Sequence, residues 1–238
     1  MLDQLVACGL QSPLLLKSMQ RVPEPELMDG PEQAAAYAAA DFAASDQALI
    51  QRLAELFPAG LGERMIDLGC GPGNISFRLA EGFPPARVLG IDGAAAMLEL
   101  AEAQLQCRPE LAARLRFQLR CLPDGGLPRG FSAVVSNSLL HHLHDPQVLW
   151  EAVGQLAAPG ACVYVKDLRR PASAAAAEEL ARRHMAAAPP VLQHDYLASL
   201  HAAFRPEEVA QQLHAAGLNG LRVQALDDRY LEVWGRLG

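Results

Sequence analysis

"IDLGCGPGN", residues Ile66 to Asn74, decides how this chain folds. Three glycines at alternate positions, Gly69, Gly71 and Gly73, follow two apolar residues and an acid. A turn that leads from a strand into a helix and wraps a ligand needs positive φ angles and close backbone approach, and glycine supplies both. An ordinary tight turn of this kind needs only one glycine. Three of them, with Asp67 two residues upstream, predict a ligand loop whose following helix presents its N-terminus to a polar or anionic group.

Working outward, apolar runs of strand length alternate with helical patterns. Arg64–Leu68, Arg87–Ile91, Leu115–Leu119, Ala133–Ser136 and Ala161–Asp167 read as strands. Ile75–Glu81, Ala94–Gln106 and Pro146–Ala157 read as the helices between them. The strands lack polar alternation, as strands buried on both faces do, and the alternation of strand and helix implies a parallel sheet with right-handed crossovers. Residues 172–186 and 206–216 are helical in pattern, and Leu221–Ala225 with Tyr230–Trp234 predict an antiparallel hairpin at the sheet edge. Upstream, 22–31 is a proline-rich extended connector. Residues 32–57 carry helical spacing with a break near Ala44-Ser45-Asp46, where Ser45 or Asp46 would cap a second helix.

Half of the residues are hydrophobic, much of that alanine, and the formal net charge is −7. Such a balance argues against nucleic-acid binding through phosphate neutralisation. Five scattered cysteines without a C-x-x-C pair read as reduced thiols of a cytoplasmic protein, not as a disulfide frame or zinc site. No basic region precedes the apolar N-terminal residues and no apolar run has the length of a membrane span, so neither signal peptide nor membrane partner is expected. Met19 is a plausible alternative start, with residues 1–18 a frayed extension.

A dinucleotide fingerprint, G-x-G-x-x-G, is only approximated by Gly71 to Ser76, with serine in place of the last glycine. "DLGCGPGN", Asp67 to Asn74, more closely resembles the first motif of class I S-adenosylmethionine-dependent methyltransferases. "GIDGAAAM", Gly90 to Met97, resembles their second motif. "SNSLLHHLHDP", Ser136 to Pro146, looks like the segment after the fourth strand in the small-molecule (UbiE-like) branch of that family, and "PGACVYVKDL", Pro159 to Leu168, resembles its fifth-strand block. The resemblance spans about residues 45–238. It implies a Rossmann-like seven-stranded sheet of order 3-2-1-4-5-7-6, with helices on both faces and the last strand antiparallel. It divides the chain into an N-terminal extension and helical lid, 1–45, and a methyltransferase domain, 46–238, in which 168–216 form a helical insert on the acceptor side.

The implied cofactor is S-adenosylmethionine, leaving as S-adenosylhomocysteine. Its methionine part would lie against the loop of Gly69, Cys70, Gly71 and Gly73, with Asp67 reaching the ammonium. Asp92 would take both ribose hydroxyls, and Gly93 and Met97 would flank the adenine. Cys121 and Leu122 fall where many relatives carry an acid for the adenine amino group, a role open here to Asp124. Ser136 opens the post-strand segment on the cofactor side, and Ser132 stands where relatives often have aspartate. His141 and His142 are candidates for touching or deprotonating the acceptor, or for holding the loop together. Lys166 and Asp167 end the fifth strand and face either acceptor or surface. Tyr37 and Asp41, one helical turn apart, are candidate lid residues, and Asp145 is expected to cap the helix beginning at Pro146. In the insert, His194 and His201 share a helical face, but two ligands are not a site, so no metal is expected. The implied function is methylation of a small organic acceptor by a monomer or homodimer. Alternatives are a tRNA or protein methyltransferase, or a non-catalytic cofactor-binding subunit.

Overall fold

The computed structural model describes residues 19–238, so the expected N-terminal extension, 1–18, lies outside the described residues. Seven strands form one sheet: β1 Arg64–Leu68, β2 Arg87–Asp92, β3 Leu115–Leu119, β4 Phe131–Asn137, β5 Ala157–Leu168, β6 Arg222–Ala225 and β7 Tyr230–Arg236. Their order is β3-β2-β1-β4-β5-β7-β6, as the resemblance implied. β1 to β5 pair in parallel, while β7 runs antiparallel to both β5 and β6. Eight helices accompany them among the described residues: α1 Pro31–Ala39, α2 Ala43–Leu56, α3 Asn74–Gly82, α4 Ala95–Gln106, α5 Gln147–Leu156, α6 Ala174–Met185, α7 Pro190–Ala202 and α8 Pro206–Ala215.

Continuous apolar strands leave two faces to cover, and two cores do so. One face carries Met65 and Tyr164 against Leu49 and Leu53 of α2 and Phe77 and Leu79 of α3. The other carries Ile66, Leu68, Val134 and Val163 against Leu149, Trp150 and Val153 of α5 and Val209 and Leu213 of α8. The fully buried Trp150 still satisfies its indole, which donates to Gln212 at 3.0 Å. Helix ends follow local chemistry. Ser173 accepts the Ala176 N–H at the start of α6, and Glu208 accepts the Arg205 N–H at the start of α8.

Three details differ from the sequence reading. The break between the first two helices falls at Ala40–Phe42, not at Ala44–Asp46. Asp41 is the residue that caps there, accepting the Ala43 N–H at 3.0 Å, while Ser45 and Asp46 lie inside the first turn of α2. α7 falls within the expected helical insert, 168–216, for which the sequence pattern delimits only 172–186 and 206–216 as separate helices.

Beneath α2, Glu232 of β7 is fully buried. Arg52 grips it through Nη2 at 2.7 Å and Nε at 3.1 Å, and Gln224 and Tyr164 donate to it as well. Burial alone would raise the Glu232 pKa, but these hydrogen bonds hold it below the ordinary carboxylate value. The pair therefore stabilises the fold above that ordinary value and ceases to do so as pH falls through the depressed native one. Removing the cation strands a buried charge. We expect Arg52→Met to cost about 3 kcal/mol in urea unfolding at pH 7, and Arg52→Met/Glu232→Met to recover most of it. A loss below about 1 kcal/mol would show that the other partners suffice.

Candidate active site

The carboxyl ends of β1, β2, β4 and β5 lie side by side, and the turns that leave them build one crevice. After β1, Gly69, Gly71 and Gly73 have φ of +69°, +53° and +90°, so all three require the left-handed conformation that favours glycine. A Cβ at Gly69 would meet Leu139 at 2.9 Å and one at Gly73 would meet Phe117 at 2.8 Å, whereas Gly71 faces open space. Packing thus demands two of the glycines, and the third leaves room for a ligand.

Asp92, at the end of β2, accepts the Gly71 N–H and the Ala94 N–H, each at 2.8 Å. A carboxylate has about four lone-pair directions, so two remain for further donors such as vicinal hydroxyls. Burial raises its pKa despite those hydrogen bonds. Asp67 is buried below the loop, and its pKa is pushed up to about 7 by burial, against a 2.6 Å hydrogen bond from the Ser76 hydroxyl. Ser76 occupies the third position of the incomplete dinucleotide fingerprint, and Gly90 of β2 leaves space for it: a Cβ there would lie 2.8 Å from its oxygen.

Several expected residues sit elsewhere or do other work. Ser136 is buried and donates to the Leu68 carbonyl, which ties β4 to β1 instead of facing the crevice. Ser132 likewise bridges to the Arg64 backbone. Asp124 pairs with Arg120 and accepts the Gly126 N–H. Cys70 is buried, with its thiol toward the Gly71 carbonyl, and its pKa is raised by that burial. Cys121 stands beside Gly93, where an added Cβ would lie 3.0 Å from its sulfur and 2.8 Å from Leu27 of the connector. Met97 packs with Ala34 of α1 and Ala94, with Tyr37 alongside. Burial pushes the Tyr37 phenol up, and the charges of Asp46, Asp92 and Asp167 add to it. Asp41 is exposed and spent on its cap.

On the far side of the crevice β4 leads into a tight turn in which Ser138 takes φ +60°, and the chain delivers Leu139 to His142 against β5. Asp167 is completely buried there. One of its oxygens accepts the Leu140 N–H at 2.7 Å and the other bonds His141 Nδ1 at 2.6 Å. His142 stacks on His141 with ring centroids 4.2 Å apart. Lys166 points to the other face of the sheet. It donates to Ser45 at 2.9 Å and lies 4.2 Å from the Tyr230 ring, and burial lowers its pKa. The N-cap of α5 is Pro146, one residue later than expected, and Asp145 just before it accepts the Gln147 N–H at 3.0 Å.

Two participants escaped the sequence reading. Glu24 of the connector lies over both histidines, its Oε1 3.6 Å from His141 Nε2 and 3.3 Å from His142 Nδ1. Arg21 donates to the carbonyls of Ala202, His141 and Leu143, which straps the connector across the loop after β4. Neither has a local sequence signal, since each acts on residues more than a hundred positions away.

A parallel sheet closed by an antiparallel seventh strand, with a glycine turn bonded to the acid at the end of β2, defines a class I methyltransferase fold. A family model described as a methyltransferase domain matches residues 66–163. The chain is 39% identical over 101 residues to the trans-aconitate 2-methyltransferase of Methylobacterium radiotolerans, covering 42% of this chain and 36% of that one. It is 28% identical over 161 residues to the ubiquinone biosynthesis O-methyltransferase of Chromobacterium violaceum, covering 66% of this chain and 65% of that one. It thus spans less than two thirds of either relative. Its fold is similar to that of the plantazolicin methyltransferase BpumL, solved with a pentazolic desmethylPZN analog and SAH. There the TM-score is 0.68 at 12% identity, over 87% of this chain and 91% of that one. Among the described residues no helix is long and apolar enough to cross a membrane.

Burial works to lower the His141 pKa, but the charge and hydrogen bond of Asp167, with the charge of Glu24, carry it above the ordinary histidine value. Asp167→Asn removes the largest opposing charge and leaves burial in place. The His141 ring titration followed by NMR should therefore fall below its wild-type position in that variant, while an unmoved titration would separate Asp167 from the ring.

Proposed function

We propose that this protein transfers the methyl group of S-adenosylmethionine to a small organic acceptor, releasing S-adenosylhomocysteine. The observation that carries the reading is the bond from Gly71 N–H to Asp92 at 2.8 Å, which joins the glycine turn to an acid with lone pairs to spare. Its donor half is supported by the family and by the SAH held in BpumL. The acceptor half draws on relatives named for trans-aconitate and for ubiquinone biosynthesis.

In this reading Asp92 holds the ribose hydroxyls, and Gly93, Met97, Cys121 and Leu122 flank the adenine. Asp67 faces the cofactor's ammonium, and the backbone of Gly69 to Gly73 lies against the methionine part. Methyl transfer is an in-line displacement at a sulfonium carbon, whose leaving group is already good. The protein has chiefly to align the acceptor and exclude water. His141 takes the acceptor's proton where one must leave, with Asp167 holding Nδ1–H so that Nε2 is the basic atom. His142 packs against it. Tyr37 borders the site beneath α1, while Lys166, turned to the other face, holds Ser45 of α2.

Labelled cofactor incubated with a metabolite extract, followed by mass spectrometry, tests the whole reading. No labelled small molecule, with label appearing in RNA or protein, would redirect it. For the donor site alone, Asp92→Ala removes charged acceptors of two hydroxyl bonds, worth roughly 1.5–3 kcal/mol. Calorimetry should show S-adenosylhomocysteine affinity down about tenfold to a hundredfold, in a protein with unchanged circular dichroism. An unchanged dissociation constant would refute the ribose assignment.

Residues 22–45 serve as a lid on this crevice. α1 buries only Ala34, so little apolar contact holds it to α4 and α7. Adding S-adenosylhomocysteine should slow hydrogen exchange across 32–45 more than in α8. Equal slowing in both would leave the segment as plain structure.

A further inference from the structure

Where the connector crosses the loop after β4, three side chains point their lone pairs at one another. Asp167 takes the Leu140 N–H on one oxygen and His141 Nδ1 on the other, so Nδ1 carries a proton, and in the neutral ring Nε2 is the bare nitrogen. The His142 Nδ1 is buried and has no hydrogen-bond partner among the described residues, so the neutral ring carries its proton on Nε2 and leaves Nδ1 a lone pair. Both bare nitrogens face Glu24 Oε1, at 3.6 Å from His141 and 3.3 Å from His142. The three side chains are only 4%, 13% and 10% exposed for His141, His142 and Glu24. Lone pairs so arranged repel in a site with little water to screen them.

We infer that Glu24, His141 and His142 form a site for one divalent transition-metal cation of the zinc class. All three offer ligand atoms within 4.8 Å of one another. Ligands of a tetrahedral zinc, bound at about 2.0–2.2 Å, stand about 3.3 Å apart, close to the two separations found. Two imidazoles and one carboxylate suit zinc, cobalt or nickel and not magnesium or calcium, which prefer oxygen. The surroundings are those of a supported site. Asp167 fixes the tautomer and direction of His141, and the Ser199 hydroxyl donates to the Glu24 carboxylate. Three protein ligands leave a fourth position for water or an acceptor atom.

A cation here joins the connector to the post-β4 loop, two segments 117 residues apart. It also takes up the His141 lone pair, so proton abstraction by that nitrogen belongs to the metal-free protein. The histidines of the insert, on which the sequence reading based its expectation of no metal, have no part in the site.

The test uses the full chain stripped with a chelator and titrated with Zn²⁺ by calorimetry, with Mg²⁺ as control. Wild type should take up one equivalent of Zn²⁺ and no Mg²⁺, and Co²⁺ should give visible absorption of a low-coordinate site. Glu24→Gln and His142→Gln should each weaken Zn²⁺ binding at least tenfold, and Asp167→Asn about tenfold. No uptake by wild type would overturn the site, leaving a shared proton between the groups. Uptake unchanged in Glu24→Gln or in His142→Gln would also overturn it, pointing to the exposed thiols of Cys107 and Cys121. S-adenosylhomocysteine titrated into the same variants reports their folding. Its failure to bind wild type would sink the methyl-transfer reading without touching this one.

Discussion

The bonds from Gly71 N–H and Ala94 N–H to Asp92 tie together the two turns that form one wall of the crevice. They join the turn after β1 to the turn after β2, two segments that touch nowhere else through a charged group. The carboxylate can be buried only because those backbone donors meet it. In turn, glycine lets the loop hold three left-handed residues in five, and the acid fixes its middle amide. Sheet pairing of β1 with β2 places both partners, and everything said of a donor site depends on that placement.

The opposite wall is organised by a second buried acid in the same manner. Asp167 binds the Leu140 amide and the His141 ring, and it does so from a strand that also pairs with β7 and β4. Both walls therefore use an aspartate at the carboxyl end of a strand to hold the loop leaving the neighbouring strand. The connector completes the enclosure from outside the sheet. Arg21 spends its guanidinium on three carbonyls and also stacks on Phe204, 4.0 Å from the ring. Glu24 is thereby carried to a position that its own proline-rich surroundings would never hold in isolation.

The central strands β1, β4 and β5 were legible because they are continuous apolar runs, and β1 and β3 were read to the residue, β3 although its residues alternate apolar and polar. Asp67, Asp92 and the three glycines were legible because the motif packs them into short stretches of chain. Ser136 was misread because position in a motif does not tell which side of a strand faces the ligand; its hydroxyl points along the sheet to Leu68. Asp167 and His141 were both named, but their pairing was not, since a contact across 26 residues leaves no periodic trace. Glu24 was missed altogether for the same reason at greater separation. The cap of α2 was placed four or five residues too late because Ser45 and Asp46 have the side chains of a cap, while tertiary contacts with Lys166 and Arg78 claim them.

Burial pushes four acids around the crevice upward together: Asp67, Asp92, Asp46 and Glu24. Each is a carboxyl group held away from water, where burial favours its neutralisation by a proton. A methyl donor with a sulfonium and an ammonium brings two positive charges. After transfer the sulfonium has become a neutral thioether, and one of the two attractions is gone. In the proposed reaction, a crevice that concentrates buried carboxylates would favour the charged donor over the product with its neutral sulfur. The bias needs no residue in contact with the sulfur. It follows from placing acids at the ends of adjacent parallel strands, where the sheet denies them water and the loops supply only part of the hydrogen bonding they would have outside.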